Sequence, residues 1–460
     1  MTNSDTIAAI STPIGTGGIG IIRLSGPDAI KIADRIFKSP SKKPLCDMPT
    51  HTIHYGHIYD PETGEMADEV LLSLMRAPKT FTAEDTVEIS THGSVAVLKR
   101  VLLIVLQNGA RHAEAGEFTK RAFLNGRIDL SRAEAVIDVI RSDSSASLSN
   151  ALSQLEGSLA NAIEDIRQPL LYALAQFAAA VDYPDEDICE LDYESAAKVI
   201  DECTQKCDTL LSGAHDGRIA KEGICCVLAG RPNVGKSSVL NTLSGASRAI
   251  VTDIAGTTRD IIEENITIDR IAIRLIDTAG IRKTDDKVEK IGVDRCIGYI
   301  NSADIVLVVL DSSRPLSKED IEVLTITKDK RRIILLNKSD LESATAKKDV
   351  ESYISGDKII NISALNKDGI SELKKEIISI CGADKINTKS VMISNARHIA
   401  AVQNAKQALI CAKKTLTDGL PMDMCAIDVT EALEQLGQIT GVSVSADIVD
   451  KIFAEFCVGK

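Results

Sequence analysis

The run GRPNVGKSS, from Gly230 to Ser238, constrains the fold more than any other stretch of this chain. It matches the phosphate-loop pattern, which works only between a strand and the N-terminus of a helix. Gly230 and Gly235 let the backbone turn tightly and approach an anion. Amides along Asn233, Val234, Gly235, Lys236, Ser237 and Ser238 can then wrap a β-phosphate at the helix start. Lys236 is placed to reach the β- and γ-phosphates, and the Ser237 hydroxyl to hold Mg²⁺. Average residue usage would produce the pattern by chance in roughly one chain of this length in seventy, so its surroundings decide. The competing reading is a glycine turn before a helix, with Lys236 in solvent.

The surroundings favour the phosphate loop. From Gly223 onward, short β-rich runs alternate with helical segments: Ile224 to Ala229, Ile271 to Ile276, Ile305 to Leu310, Arg332 to Leu336 and Ile359 to Ile362. That alternation predicts a parallel sheet with crossover helices. DTAG, at Asp277, Thr278, Ala279 and Gly280, ends the second of these strands. There Asp277 can contact Mg²⁺ through water and the Gly280 amide can bind the γ-phosphate. NKSD, containing Asn337, Lys338 and Asp340, ends the fourth. The Asp340 carboxylate can accept two hydrogen bonds from the guanine edge, whereas adenine would leave it unpaired. Ser363, Ala364 and Leu365 follow the fifth strand, where backbone amides can meet the guanine carbonyl. A guanosine nucleotide is the expected ligand.

Two parts of a hydrolytic site are not supplied by these motifs. Where many GTPases carry a water-orienting glutamine after DxxG, this chain has Ile281, which can neither orient nor deprotonate water. The next loop offers Asp285, Asp286 and Glu289, each equally readable as part of a charged, solvated segment. A cation for transition-state charge is also missing. Oxygens of Asn233, Thr252, Ile254 and Thr257 can hold a monovalent cation against the phosphates, although Asn233 is as readily a turn residue. Thr258 is the natural second protein ligand to Mg²⁺.

The rest of the chain has two other textures. Roughly the first 120 residues mix β-type runs, Ile19 to Leu24 and Val87 to Ser90, with turn clusters. From about Glu117 to Gly217, and again after about Cys381, the periodicity is helical. An α/β unit inserted between two helical stretches is the economical reading, and the two stretches are expected to pack together. Cys203 and Cys207 fall on an apolar helical face as packed thiols. The eleven cysteines show no CxxC pairing, and the polar start Met1 to Asp5 has no signal-peptide character, so a reducing cytoplasmic setting is expected. The longest near-apolar stretch, Leu170 to Val181, is too short for a membrane span, so no membrane partner is expected. A net charge of −13 and 3% aromatic residues argue against a broad nucleic-acid coat and leave room for a local patch.

The runs RPNVGKSS, DIAGTTRD, DTAGIRKTDDKVEKIG, GEFTKRAFLNGRIDLSRAEAV and the terminal FCVGK together resemble the MnmE (TrmE) family of tRNA modification GTPases across essentially the whole chain. The resemblance implies an α/β P-loop GTPase domain inserted into an all-helical domain, plus an N-terminal α/β folate-binding dimerisation domain. The implied boundaries are 1–118 for the N-terminal domain, 119–220 and 382–460 for the helical domain, and 221–381 for the GTPase domain. It further implies a homodimer working with an FAD-dependent MnmG protein, in a heterotetramer or larger complex. The pair would modify C5 of the wobble uridine of certain tRNAs with a carbon from 5-formyl- or methylene-tetrahydrofolate.

By the same resemblance, Glu289 is the general base with Arg282 nearby, and K⁺ is held by Asn233, Thr252, Ile254 and Thr257. Asp253, Ala255 and Gly256 join Thr257 and Thr258 in the nucleotide-contacting loop, and Mg²⁺ is held by Ser237 and Thr258. Folate falls to Arg23, Glu88, Arg127 and Lys460, and Cys457 becomes a functional thiol near it. Arginines suit a glutamate-tailed anion, and Glu88 can accept from the pterin edge. Without the resemblance, Arg23 and Arg127 are surface or salt-bridge residues, Lys460 a frayed terminus and Cys457 an incidental thiol. Ala83 and Ala115 depart from the family's usual glycine and proline. A GTP-controlled assembly switch for ribosome or membrane-protein maturation is the competing function, because its GTPase loops would look alike.

Overall fold

The computed structural model describes residues 5–182, 193–245, 262–277, 297–345, 347–354, 356–385 and 391–460. The chain divides into two compact units. One comprises Met1–Ile137, Leu155–Leu174 and Ile427–Lys460, and the other Asp138–Gln154 and Ala175–Ala426.

The first unit is built on a sheet of β1 (Ile7–Ile10), β2 (Ile19–Ser25), β3 (Phe37–Lys38), β4 (Thr52–Tyr59), β5 (Met66–Met75), β6 (Thr86–His92) and β7 (Arg111–His112). The spatial order is β3-β4-β5-β6-β2-β1-β7, antiparallel throughout except for β1 beside β7. Alternation sorts the side chains by face. Ile22, Leu24, Leu72, Leu74, Val87 and Ile89 are buried in one core with helices Ala29–Ile36 and Val95–Gln107. Each such side chain contributes about 1.5–3 kcal/mol on burial. The opposite face mixes polar and apolar residues, and Ile19, Ile53, Tyr55 and Leu71 on it are exposed. Arg23 pairs in register with Glu88, and Glu88 with Ser73. Both charged residues therefore belong to this second face.

Near β1 the same face is covered by helix Glu117–Leu124, whose Phe118 packs with Ile7, Ala9 and Ala113. Arg121 of that helix is 2% exposed and donates to Asp5, Glu84 and Glu117, which offsets the cost of burying its charge. Helix Ala446–Ala454 packs on helix Glu117–Leu124, with the Phe123 and Phe453 rings 6.4 Å apart. Val458 then bridges to Ala115. The C-terminus is docked, where a frayed end is the expectation from composition alone.

The second unit holds β8 (Ile224–Ala229), β9 (Ile262–Ile268), β10 (Ile271–Asp277), β11 (Ile305–Asp311), β12 (Arg332–Asn337) and β13 (Lys358–Asn361), in the order β13-β12-β11-β8-β10-β9. Strands β8, β11 and β12 are buried along their whole lengths, as continuous apolar runs in a parallel sheet should be. The five strands expected from the sequence are mutually parallel, and a sixth that the sequence reading did not name, β9, runs antiparallel to β10 at the edge. Its sequence IEENITI places Glu263, Asn265 and Thr267 on one face and Ile266 and Ile268 on the buried one, as an edge strand allows.

The two helical stretches do pack together. Tyr193–Ser212 lies along Ala396–Thr417, joined by Lys406–Asp208 at 2.6 Å and Lys413–Asp201 at 2.7 Å. Cys203 and Cys207 are buried in this contact as packed thiols, and burial pushes them up to about 11 and about 12. No helix among the described residues is long and apolar enough to cross a membrane.

Candidate functional site: a nucleotide cradle and a charged pair at the docked terminus

The phosphate loop leaves the C-terminal end of β8 and enters helix Lys236–Ser244. Neighbouring parallel strands bring their own C-terminal ends beside it, which is where open α/β sheets bind ligands. Lys236 is 5% exposed, and its Nζ donates to the Gly230 and Arg231 carbonyls at 2.7 and 2.9 Å. The ammonium is therefore held inside the loop. Ser237 Oγ donates to Asp277 Oδ2 at 3.0 Å, joining the loop to the fully buried end of β10. Asn233 has φ +65° and is exposed, compatible with a turn and with an oxygen offered outward.

Asn337, at the end of β12, ties three segments together. Its Nδ2 donates to the Val234 carbonyl at 2.8 Å, and its Oδ1 accepts from the Ala364 amide at 3.2 Å. Gly235, with φ +100°, allows this approach: a Cβ there would stand 2.3 Å from Asn337 Nδ2. Thr242 Oγ1 fixes Ala364 from the other side by donating to its carbonyl at 2.9 Å. Asp340 Oδ1 accepts from Ser363 Oγ at 2.6 Å, so the carboxylate is aimed by a neighbour. Lys338 Nζ lies 2.6 Å from Asp311 Oδ2. Burial alone would raise the Asp311 carboxyl, and hydrogen bonds from Lys338 and Ser313 override it to leave the group below its ordinary value.

Sequence reasoning gave Ser363 only a backbone role and passed over Thr242 and Asp311. A hydroxyl or acid closing a motif from another segment has no spacing signal of its own. Thr252, Asp253, Ile254, Ala255, Gly256, Thr257 and Thr258 lie outside the described residues, as do Thr278, Ala279, Gly280, Arg282 and Glu289.

In the first unit, three of the four expected folate residues come together. Arg23 Nε lies 2.8 Å from Glu88 Oε1, and Arg23 Nη1 donates to the Gly459 carbonyl at 3.3 Å. Ser11 Oγ donates to the same carbonyl at 3.1 Å. Gly459 has φ +93°, and a Cβ on it would stand 2.3 Å from the Ile10 carbonyl, so glycine is what lets the terminus seat here. Burial, followed by the charge of Arg23, holds the Lys460 ammonium below the ordinary lysine value, with Glu88 and Cys457 acting in the opposite sense. Cys457 is exposed, and its carbonyl accepts from the Lys460 amide at 3.3 Å in the same turn.

Arg127 joins this group indirectly. Its guanidinium lies over the Phe81 ring at 5.2 Å and donates to the Phe81 carbonyl at 3.1 Å. Phe81 packs against the cluster of Ile7, Ala9, Ala113 and Phe118, and Arg23 lies over the Phe118 ring at 5.7 Å. A cavity of about 560 Å³ opens beside Arg127, lined also by Met75, Pro78, Lys79, Thr80, Phe81, Ala83, Asn125 and Gly126. Ala83 has φ +58°, a conformation that costs an L-residue roughly 1 kcal/mol and explains why a glycine suits the position.

The phosphate loop, the buried aspartate ending β10, and the Asn337 and Asp340 loop held by Ser363 define a GTP hydrolase of the P-loop class. Family models agree along the chain. One described as the MnmE helical domain matches residues 130–457, and one described as the GTP-binding protein TrmE N-terminus matches 6–127. The chain is 47% identical over 462 residues to the tRNA modification GTPase MnmE of Geobacillus kaustophilus (strain HTA426), covering 100% of both. It is 48% identical over 465 residues to that of Geobacillus thermodenitrificans (strain NG80-2), again covering 100% of both. The chain belongs to the MnmE family of tRNA modification GTPases.

Proposed function

We propose that this chain is a potassium-dependent GTP hydrolase that works with an FAD-dependent partner of the MnmG type. Together they convert C5 of the wobble uridine of certain tRNAs to a carboxymethylaminomethyl-type group, with the carbon supplied by a tetrahydrofolate derivative. The observation that carries the folate half is the Arg23–Glu88 pair on the sheet face opposite helices Ala29–Ile36 and Val95–Gln107, with Gly459 docked on it and Lys460 beside it. An assembly switch has no use for such a site. The exposed Ile53, Tyr55 and Leu71 on that face support homodimerisation through the N-terminal domain. The reading keeps the division into 1–118, 119–220, 221–381 and 382–460, and a cytoplasmic location.

In the hydrolytic half, Lys236 binds the β/γ-phosphates and the amides of its loop wrap them. Ser237 Oγ and the Asp277 carboxylate are hard oxygens 3.0 Å apart, a donor set that suits Mg²⁺, and Ser237 with Thr258 would hold it. When bound, the ion neutralises charge on the phosphate oxygens. Asn233, Thr252, Ile254 and Thr257 would hold K⁺ in the place where other GTPases receive an arginine. Glu289 takes the proton of the attacking water, and the family resemblance assigns Arg282 to the same step. Asp340 selects guanine.

Mass analysis of wobble nucleosides from cells with and without the protein tests the whole reading. Loss of the C5 substituent is expected, and an unchanged nucleoside profile would leave the assembly switch as the better account. Replacing K⁺ by Na⁺ tests the ion: hydrolysis by the purified protein should slow sharply, and equal rates in the two salts would remove potassium from the mechanism.

A further inference from the structure

We propose that the cavity beside Arg127 holds the γ-glutamyl tail of a folate and that Lys79 reads tail charge beyond the first glutamate, so that polyglutamylated tetrahydrofolates are the preferred ligands. The inference rests on the folate reading of Arg23, Glu88 and Arg127 and adds a ligand class and a specificity residue to it. The cavity, at about 560 Å³, has the size of a small-molecule site. Its lining carries two cations, Lys79 and Arg127, and no carboxylate. Among the described residues neither cation forms an ion pair.

The acids nearest in sequence are already engaged. Glu84 is held by Arg121 and by the Ser25 hydroxyl at 2.7 Å, Asp85 accepts from the Ala77 amide at 2.9 Å, and Asp129 pairs with Arg132 at 3.3 Å. None of these acids pairs with Lys79 or Arg127, whose charge is left for a ligand. Arg127 is oriented in advance by the Phe81 ring and carbonyl, which fits it to grip one carboxylate. Lys79 is different in kind: it is exposed, next to Pro78, and carries a point charge on a flexible stem. Such a group suits a chain whose successive carboxylates have no single fixed position.

The two ends are linked through packed aromatic residues. Phe81 carries Arg127 and packs against the cluster containing Phe118, over which Arg23 lies. A ligand with its pterin edge at Glu88 would pass Phe81, the partly exposed member of that cluster, to bring its anionic end to the cavity. Each further γ-linked glutamate adds one negative charge there.

Calorimetric titration of the full-length protein with 5-formyltetrahydrofolate carrying one or five glutamates tests this. The pentaglutamate should bind tighter by roughly 5-fold, the scale of one partly exposed ion pair. The preference should shrink as salt rises. Lys79→Gln should bring the ratio of the two affinities close to one, and Lys79→Arg should restore it. Equal affinities in the unaltered protein overturn the proposal while leaving the folate site standing, since the monoglutamate still binds. A ratio that survives Lys79→Gln removes Lys79 from it. If neither ligand binds, the folate reading fails and the tail assignment with it.

Discussion

Asp340→Asn should lower GTP affinity by about 10²–10³-fold and create affinity for xanthosine triphosphate, which the unaltered protein should bind weakly. Guanine presents two donors, N1–H and the 2-amino group, and the carboxylate accepts both. Ser363 Oγ donates to Asp340 Oδ1 at 2.6 Å and orients the group without exhausting its lone pairs. An amide in its place turns one acceptor into a donor, so a guanine N–H meets an N–H. Hydrogen bonds to charged groups contribute roughly 1.5–3 kcal/mol each, and an unpaired buried donor adds a cost of about 1–3 kcal/mol. Xanthine has a carbonyl where guanine has the amino group, so the amide is matched again. Titration of both nucleotides with the variant decides the matter. Unchanged GTP affinity would show that Asp340 does not face the base.

The contrast between β8 and the docked terminus explains how much of this molecule is legible in its sequence. Ile224 to Ala229 reads as a strand residue for residue, because a strand buried on both faces is a continuous apolar run. β9 carries the sequence IEENITI, and its polar, edge-compatible alternation is easily passed over. The nucleotide loops are legible because phosphate and guanine each require particular atoms at fixed spacings along one segment. The supports from other segments, such as the Ser363 hydroxyl on Asp340 and Thr242 on Ala364, depend on tertiary proximity. The Arg23, Glu88 and Lys460 set is the extreme case. Its members come from opposite ends of the chain, and only the family resemblance nominated them. The seating of Gly459 on Ile10 and Ser11 supplies the physical reason they meet. Lys79 had no signal at all, since one lysine on a polar loop is indistinguishable from a solvating one.

Asn337→Ala should weaken binding of the phosphates as well as the base, by about 10²-fold or more for GTP. The side chain is 2% exposed and serves two backbone groups, the Val234 carbonyl in the phosphate loop and the Ala364 amide in the base loop. Its removal leaves both without a partner in a buried setting, at a cost of about 1–3 kcal/mol each. The loops are then no longer held in a shape ready for ligand, and the energy of ordering them must come from binding. If Asn337 served the base alone, a ligand without a base would not notice its loss. Inorganic tripolyphosphate is such a ligand, and the coupling through Val234 requires that its affinity fall too, by roughly tenfold for each 1.4 kcal/mol of lost preorganisation. Tripolyphosphate that binds the variant as well as it binds the unaltered protein, while GTP weakens, would refute that coupling and return Asn337 to a base-side role only.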